Sequence, residues 1–297
     1  MQGKIKRSGF ICIAGCTNTG KSTLLNALIG QKIAIVSGKA QTTRHRIMGI
    51  LNQGDTQMVF IDTPGIHTPR TKLGDYMMKT VEESLAGVDA VVMVLDATKG
   101  LGARDETLLE KLRMQKTPVI LAVNKRDAAT REEMLKTLAA TEKYGWVDAV
   151  VPVSAKTGVG LEKLKAILEP YAKEGPQYFP DGVVTDQPER ILAAETIREK
   201  ILTLLREEVP HGVGVEIEEM SRRENGIWDI SAVIICERPG HKAIIIGKSG
   251  SMIKRIGELA RKDIEGMLDA KVFLQLFVKT EEDWRNRPPL LRDMGYE

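Results

Sequence analysis

Aromatic residues are scarce: Phe, Trp and Tyr together make up 4% of the 297 positions. That argues against a binding surface built mainly from stacked rings. Cysteine is rarer still, with Cys12, Cys16 and Cys236 alone and no paired spacing among them. This excludes a disulfide framework, offers no zinc pattern and fits a reducing cytoplasm. No segment approaches the roughly 20 consecutive apolar residues that a membrane-spanning helix needs. The N-terminal MQGKIKR is basic, but the apolar run after it is too short for a secretory signal. A cytoplasmic protein is expected, with peripheral contact at the cytoplasmic face of a membrane left open. An excess of one charge is also missing. Lys plus Arg number 43 against 40 Asp plus Glu, so any basic surface has to be local.

The length exceeds what one compact domain usually needs, so two domains are expected. In the first half, near-continuous apolar runs at Phe10–Ala14, Met58–Ile61, Ala90–Leu95, Val119–Val123 and Val150–Val153 alternate with helical patterns. Runs of that kind suit strands buried on both faces of a parallel sheet. The spacing predicts an α/β, doubly wound domain over 1–172, with ligands held in loops beyond the strand ends. The segment KEGPQYFPDGVVTDQPE, residues 173–189, holds three prolines and two glycines and reads as a linker. Over 190–297 the pattern becomes α-β-β-α-α-β plus a C-terminal tail. It has a helix over Arg190–Glu208 ended by Pro210, alternating strands around an Asn225-Gly226 hairpin, and a last strand at Val272–Val278.

The tripeptide Gly-Lys-Ser occurs twice. The first copy completes Gly15-Cys16-Thr17-Asn18-Thr19-Gly20-Lys21-Ser22, a G-x-x-x-x-G-K-S directly after a strand and opening a helix. In that setting the spacing reads as a P-loop. Backbone N–H groups and the helix N-terminus face the phosphates. Lys21 supplies charge to the β- and γ-phosphates and Ser22 an oxygen to Mg2+, with Thr23 counted among the nucleotide contacts. Asn124-Lys125-Arg126-Asp127 at the end of a strand selects the base. The Asp127 carboxylate accepts from the guanine N1–H and amine, which adenine does not offer. Ser154-Ala155-Lys156 follows the next strand, where the Ala155 N–H can reach guanine O6. Asp62-Thr63-Pro64-Gly65 places a carboxylate near the metal and the Gly65 N–H near the γ-phosphate. Of Thr42 and Thr43, Thr43 is favoured as the third metal-site oxygen. The catalytic set read from these groups is Lys21, Thr43 and Gly65, and the metal set Ser22, Thr43 and Asp62.

These segments resemble the translation-factor-related GTPases. Many of those carry Gln directly after D-x-x-G to orient the attacking water. Ile66 stands there and cannot hydrogen-bond, so the resemblance is to the subgroup with a hydrophobic residue. The resemblance implies that Asn18 either shapes the loop or helps bind K+ beside the phosphates. His67 is given no proton-transfer role, because GTP hydrolysis needs mainly positioning and charge stabilisation.

The second copy lacks the upstream glycine, since Lys242 stands five residues before Gly247. It instead reads Gly247-Lys248-Ser249-Gly250 between two helices, the G-x-x-G loop of a type II KH module that clamps single-stranded RNA. Between Pro239 and Lys262 six Lys or Arg face the single acid Glu258. Lys254 and Arg255 join the four loop residues as RNA contacts.

The whole arrangement resembles the Era family, in QTTRHRI, DTPGIH, NKRD, VSAKTG, AAETIREKIL and IIIGKSGSMIKRIG. It departs in the P-loop interior, where relatives tend to have Arg-Pro-Asn-Val, and at Ala40, where Pro is common. The resemblance implies a monomeric GTPase using Mg2+. It also implies binding to the 3′ region of 16S rRNA and a part in maturation of the 30S ribosomal subunit. The rival reading is a regulatory GTPase whose C-terminal domain binds a protein or membrane partner.

Overall fold

Arg7–Ala14 forms strand β1, and its alternation explains the layering of the first unit. Ile11 and Ile13 point to one core, while Cys12 and Ala14 point to another. A strand buried on both faces needs helices on both sides. The computed structural model describes residues 5–39 and 41–296, and Ala40 lies outside them.

The remaining strands of this sheet are β2 (Ile47–Gln53), β3 (Thr56–Asp62), β4 (Ala90–Asp96), β5 (Val119–Asn124) and β6 (Ala149–Pro152). Their order is β2-β3-β1-β4-β5-β6, parallel except for the β2–β3 hairpin. Strand β2 was not located by pattern, because Gly49, Asn52 and Gln53 break its apolar run. Helices α1 (Lys21–Ile29), α2 (Lys72–Leu85), α3 (Ala103–Gln115), α4 (Arg131–Thr141) and α5 (Leu161–Leu168) supply the crossovers. Leu24, Leu25 and Leu28 of α1 pack with Leu161, Leu164 and Leu168 of α5 on one face. Val81, Leu85, Leu108, Leu109 and Leu112 cover the other. The order of the strands reverses around β1, and in open α/β sheets that is where ligands bind.

The expected linker is largely part of this first unit, which extends to Asp186. Lys173–Glu174 forms a short strand, β7, against β1. The Gln57 side chain bonds the backbone of Tyr178 and Phe179. Ile50 donates to the Val184 carbonyl, and Thr185 bridges Gly49. These contacts cover the open edge of β2, a protection that exposed strands need.

The second unit is Gln187–Glu297 together with two short pieces from the first half, Ile35–Thr42 and Thr68–Tyr76. It contains α6 (Glu189–Leu204), β8 (Val213–Arg222), β9 (Trp228–Cys236), α7 (Pro239–Ile246), α8 (Ser251–Leu268) and β10 (Val272–Thr280). The sheet order is β10-β9-β8, with β8–β9 antiparallel and β9–β10 parallel. This is the α-β-β-α-α-β order that the sequence predicts. Helix α6 ends earlier than the expected Glu208. Leu205 turns extended and is buried, and its carbonyl accepts from Lys39 Nζ. A C-terminal helix, α9 (Pro288–Asp293), follows a turn at Trp284–Asn286. Trp284 is fully buried, with its Nε1 donating to the Gly212 carbonyl. A side chain at Gly214 would collide with Met294 and Trp284, so glycine is needed there.

Candidate functional site

The first site sits on the loop between β1 and α1. Gly20 has φ 96°, and a Cβ there would lie 2.4 Å from Asn124 Nδ2. Only glycine tolerates both conditions. Asn18 also adopts the left-handed region, at φ 64°. Lys21 is buried and donates to the carbonyls of Gly15 and Cys16 at 3.1 and 2.8 Å. Burial lowers its pKa, and Asp62 is foremost among the groups that oppose the shift. An ammonium has three donors, so one remains for a phosphate oxygen. The Cys16 thiol is pushed up to about 12, mainly by burial and further by the nearby negative charge of Asp105. It is no nucleophile at neutral pH.

Three oxygens converge at the start of α1. Ser22 Oγ lies 2.6 Å from Thr43 Oγ1 and donates to Asp62 Oδ2 at 2.6 Å. Thr42 faces elsewhere, its hydroxyl bonded to Ser37 Oγ and the Lys39 carbonyl. Asp62 is fully buried, and burial raises its pKa to about 6 against the pull of Lys21 and Ser22. Its Oδ1 is buried without a protein partner. Hard oxygens with one carboxylate oxygen to spare are the donor set that Mg2+ takes. Ile66 is fixed beside the phosphate loop, its N–H donating to the Gly15 carbonyl.

The base-reading segments meet at the ends of β5 and β6. Asn124 Nδ2 donates to the Thr19 carbonyl at 2.9 Å, tying this segment to the phosphate loop. Its Oδ1 accepts from the Ala155 N–H at 2.9 Å. That N–H is the group the sequence assigns to guanine O6, so O6 has to share it. Ser154 Oγ donates to Asp127 Oδ1 at 2.6 Å and orients the carboxylate. Lys125, at φ 65°, pairs with Asp96 Oδ2 at 2.7 Å. Burial pushes the Asp96 carboxyl up, but hydrogen bonds from Lys125 and Thr98 outweigh it and hold the pKa below its usual value. Asp96 escaped the sequence reading. The available signal was an acid closing the apolar run of β4. Arg126 and Lys156 are exposed beside these groups.

The second site lies between α7 and α8. Gly247 has φ 74°, and a Cβ there would lie 2.7 Å from the Met252 Cβ. Ser249 and Gly250 are left-handed as well, at φ 50° and 77°. Lys248, Ser249, Lys254 and Arg255 are exposed. Ile256, Ala260 and Ile264 turn the other face of α8 into the core. Ile253, expected on that core stripe, instead lines a groove of about 450 Å³ between α8 and β10 with Lys254, Gly257, Arg261, Leu274 and Leu276. Its lining combines these apolar side chains with Lys254, Arg261 and the acid Glu258. Its strand residues were not identified from sequence, because alternation alone does not say which face meets a ligand.

Within the second unit, α6 holds the piece Ile35–Thr42. Val36 N–H donates to Glu199 Oε1 at 2.9 Å, and Arg198 donates to the Thr42 carbonyl. Lys200 pairs with both Glu199 and Asp263, the latter on α8.

Comparison with known proteins follows the same division. The family described as 50S ribosome-binding GTPase matches residues 10–125, and the KH domain family matches 208–285. GTPase Era of Clostridioides difficile strain 630 is 47% identical over 98% of this chain and 98% of its own length. GTPase Era of Alkaliphilus oremlandii is 48% identical over 98% and 99%. A solved structure of Era with MgGDPNP and nucleotides 1506–1542 of 16S ribosomal RNA has a TM-score of 0.93 at 39% identity, covering 98% of this chain and 99% of that one. A single-residue variant of Aquifex aeolicus Era bound to GDP·AlF4− has the same TM-score, identity and coverage.

Proposed function

This chain belongs to the Era GTPase family, and from that premise we propose that it binds the 3′ region of 16S rRNA through its KH domain and assists maturation of the 30S subunit under the control of GTP. Hydrolysis of GTP to GDP and phosphate is the activity of the family. The observation that carries the reading is the division of labour between two glycine loops. One has its lysine buried over a phosphate cradle, and the other presents its lysine to solvent between basic helices.

The nucleotide chemistry follows from this chain's own groups. Lys21 and the loop N–H groups hold the β- and γ-phosphates. Ser22, Thr43 and Asp62 would hold Mg2+, which neutralises charge on the phosphate oxygens. Asp127, oriented by Ser154, reads guanine. We extend the proposal to K+ beside the phosphates, supported by Asn18 at its position in the loop. Residues Ile35–Thr42 carry nucleotide state to the RNA-binding unit: Thr43 meets Ser22, and the preceding carbonyl is held by α6.

The 1506–1542 RNA bound by the solved Era tests this reading. The labelled segment is titrated with a non-hydrolysable GTP analogue or with GDP present. Tighter binding with the analogue is expected. Absence of any binding removes the RNA assignment. It would favour the rival, a regulatory GTPase whose C-terminal domain binds a protein.

A further inference from the structure

Asp96 closes β4 directly beside Asn124 of β5, and the Ala97 N–H donates to the Asn124 carbonyl at 3.0 Å. Lys125 then turns the chain in a left-handed conformation, at φ 65°. It stands between Asn124, which is tied to the phosphate loop, and Asp127. Its carbonyl accepts from the N–H groups of Ala128 and Ala129, both at 2.9 Å, so the backbone of this segment is fixed by itself. The side chain is fixed separately. Lys125 Nζ donates to Asp96 Oδ2 at 2.7 Å. Asp96 Oδ1 accepts from the Thr98 hydroxyl at 2.7 Å and the Thr98 N–H at 3.1 Å. The Asp96 side chain is 3% exposed, and that of Lys125 34%. Lys99, 65% exposed, stays 3.8 Å from the oxygen that Lys125 meets. A lysine stem has rotamer freedom to lose when a ligand orders it. This one is ordered before a ligand arrives, which lowers the cost of binding. With its ammonium on Asp96, the side chain has its four-carbon stem left to offer a purine ring, and Lys21 serves the phosphates.

We propose that Asp96 is a positioning residue for the guanine nucleotide: it acts through Lys125, fixing the stem on which the base rests, and so sets how long the nucleotide is retained. The proposal rests on the GTPase reading and adds to it a residue outside the base-reading segments. Asp127 selects the base by its edge, and the Asp96–Lys125 pair holds it by its face. A pair that only tied β4 to the loop after β5 would change melting and leave nucleotide release alone.

A double-mutant cycle on the full chain separates the two. The protein is loaded with fluorescent GDP, and release is timed after excess unlabelled GDP is added. Asp96→Asn keeps an acceptor for Thr98 and loses the charge that holds Lys125. It is expected to release GDP about tenfold faster. Lys125→Met keeps a stem without an ammonium to hold. Adding Asp96→Asn to it changes release by less than about twofold, because the acid has nothing left to act through. Lys99→Ala leaves release as in the wild type. If Asp96→Asn does not fold, Thr98→Val loosens the same carboxylate, and its acceleration of about threefold vanishes in the Lys125→Met background. Wild-type release from a folded Asp96→Asn or, in its place, from Thr98→Val overturns the proposal alone. So does an acceleration that persists undiminished in the Lys125→Met background. A wild-type chain that binds no guanine nucleotide overturns the GTPase reading and this one with it.

Discussion

Arg198 on α6 donates its guanidinium to the carbonyl of Thr42, the residue directly before the Thr43 hydroxyl that meets Ser22. Arg198 is 1% exposed and also paired with Glu195 at 2.5 Å. Burial disfavours its charge, but Glu195 outweighs that and raises its pKa. A buried ion pair is costly to assemble and weak evidence of stability by itself. Within the second unit the pair serves to hold the Thr42 carbonyl.

Removing only the arginine takes its guanidinium away from the buried Glu195 carboxylate. We predict that Arg198→Ala lowers folding stability by about 3 kcal/mol in chemical denaturation. The double change Arg198→Met with Glu195→Met recovers most of that. It still loses the nucleotide dependence of RNA affinity, because the tie to Thr42 is gone. A stable double variant that binds RNA more tightly with the GTP analogue than with GDP would sink the assigned role of Arg198.

Asp127 is an acceptor held in place by Ser154. Changing Asp127→Asn replaces one acceptor oxygen with a donor, against two guanine donors. We predict a loss of GTP affinity of about a hundredfold or more, with relative gain for xanthosine triphosphate, which carries a carbonyl where guanine has its amine. Competitive displacement of a fluorescent GTP analogue reads both. Unchanged discrimination between the two nucleotides would contradict the base assignment.

The local parts of this protein were legible because glycine spacing is a local constraint. Gly20 and Gly247 each take a positive φ beside an atom that a Cβ would strike, so their places in the sequence reveal their loops. The Asn124–Thr19 and Ser154–Asp127 bonds follow from strand ends brought together by a doubly wound sheet. What escaped depends on packing between distant segments. Nothing in Ile35–Thr42 says that α6 will hold it. Nothing in the proline-containing 173–186 says that it will cover the edge of β2. Leu205 leaves its helix because its carbonyl and side chain are engaged elsewhere, a tertiary override of a good helical pattern.

Asn18 adopts φ 64° inside the phosphate loop. If it helps hold K+ there, GTP turnover is faster in potassium than in sodium at equal ionic strength. We predict that Asn18→Ala removes that difference while GDP affinity changes little. Equal wild-type rates in the two salts would contradict the K+ assignment and leave Asn18 as a shaper of the loop.

The central claim is that two Gly-Lys-Ser loops hold two different phosphates. GTP turnover and binding of the 16S rRNA segment measured side by side in two variants test it most directly. Lys21→Ala should abolish turnover while the nucleotide-free protein still binds RNA. Lys248→Asp with Ser249→Asp should abolish RNA binding while turnover by the free protein persists. RNA affinity that survives the acidic loop, or turnover that fails with it, would contradict the account.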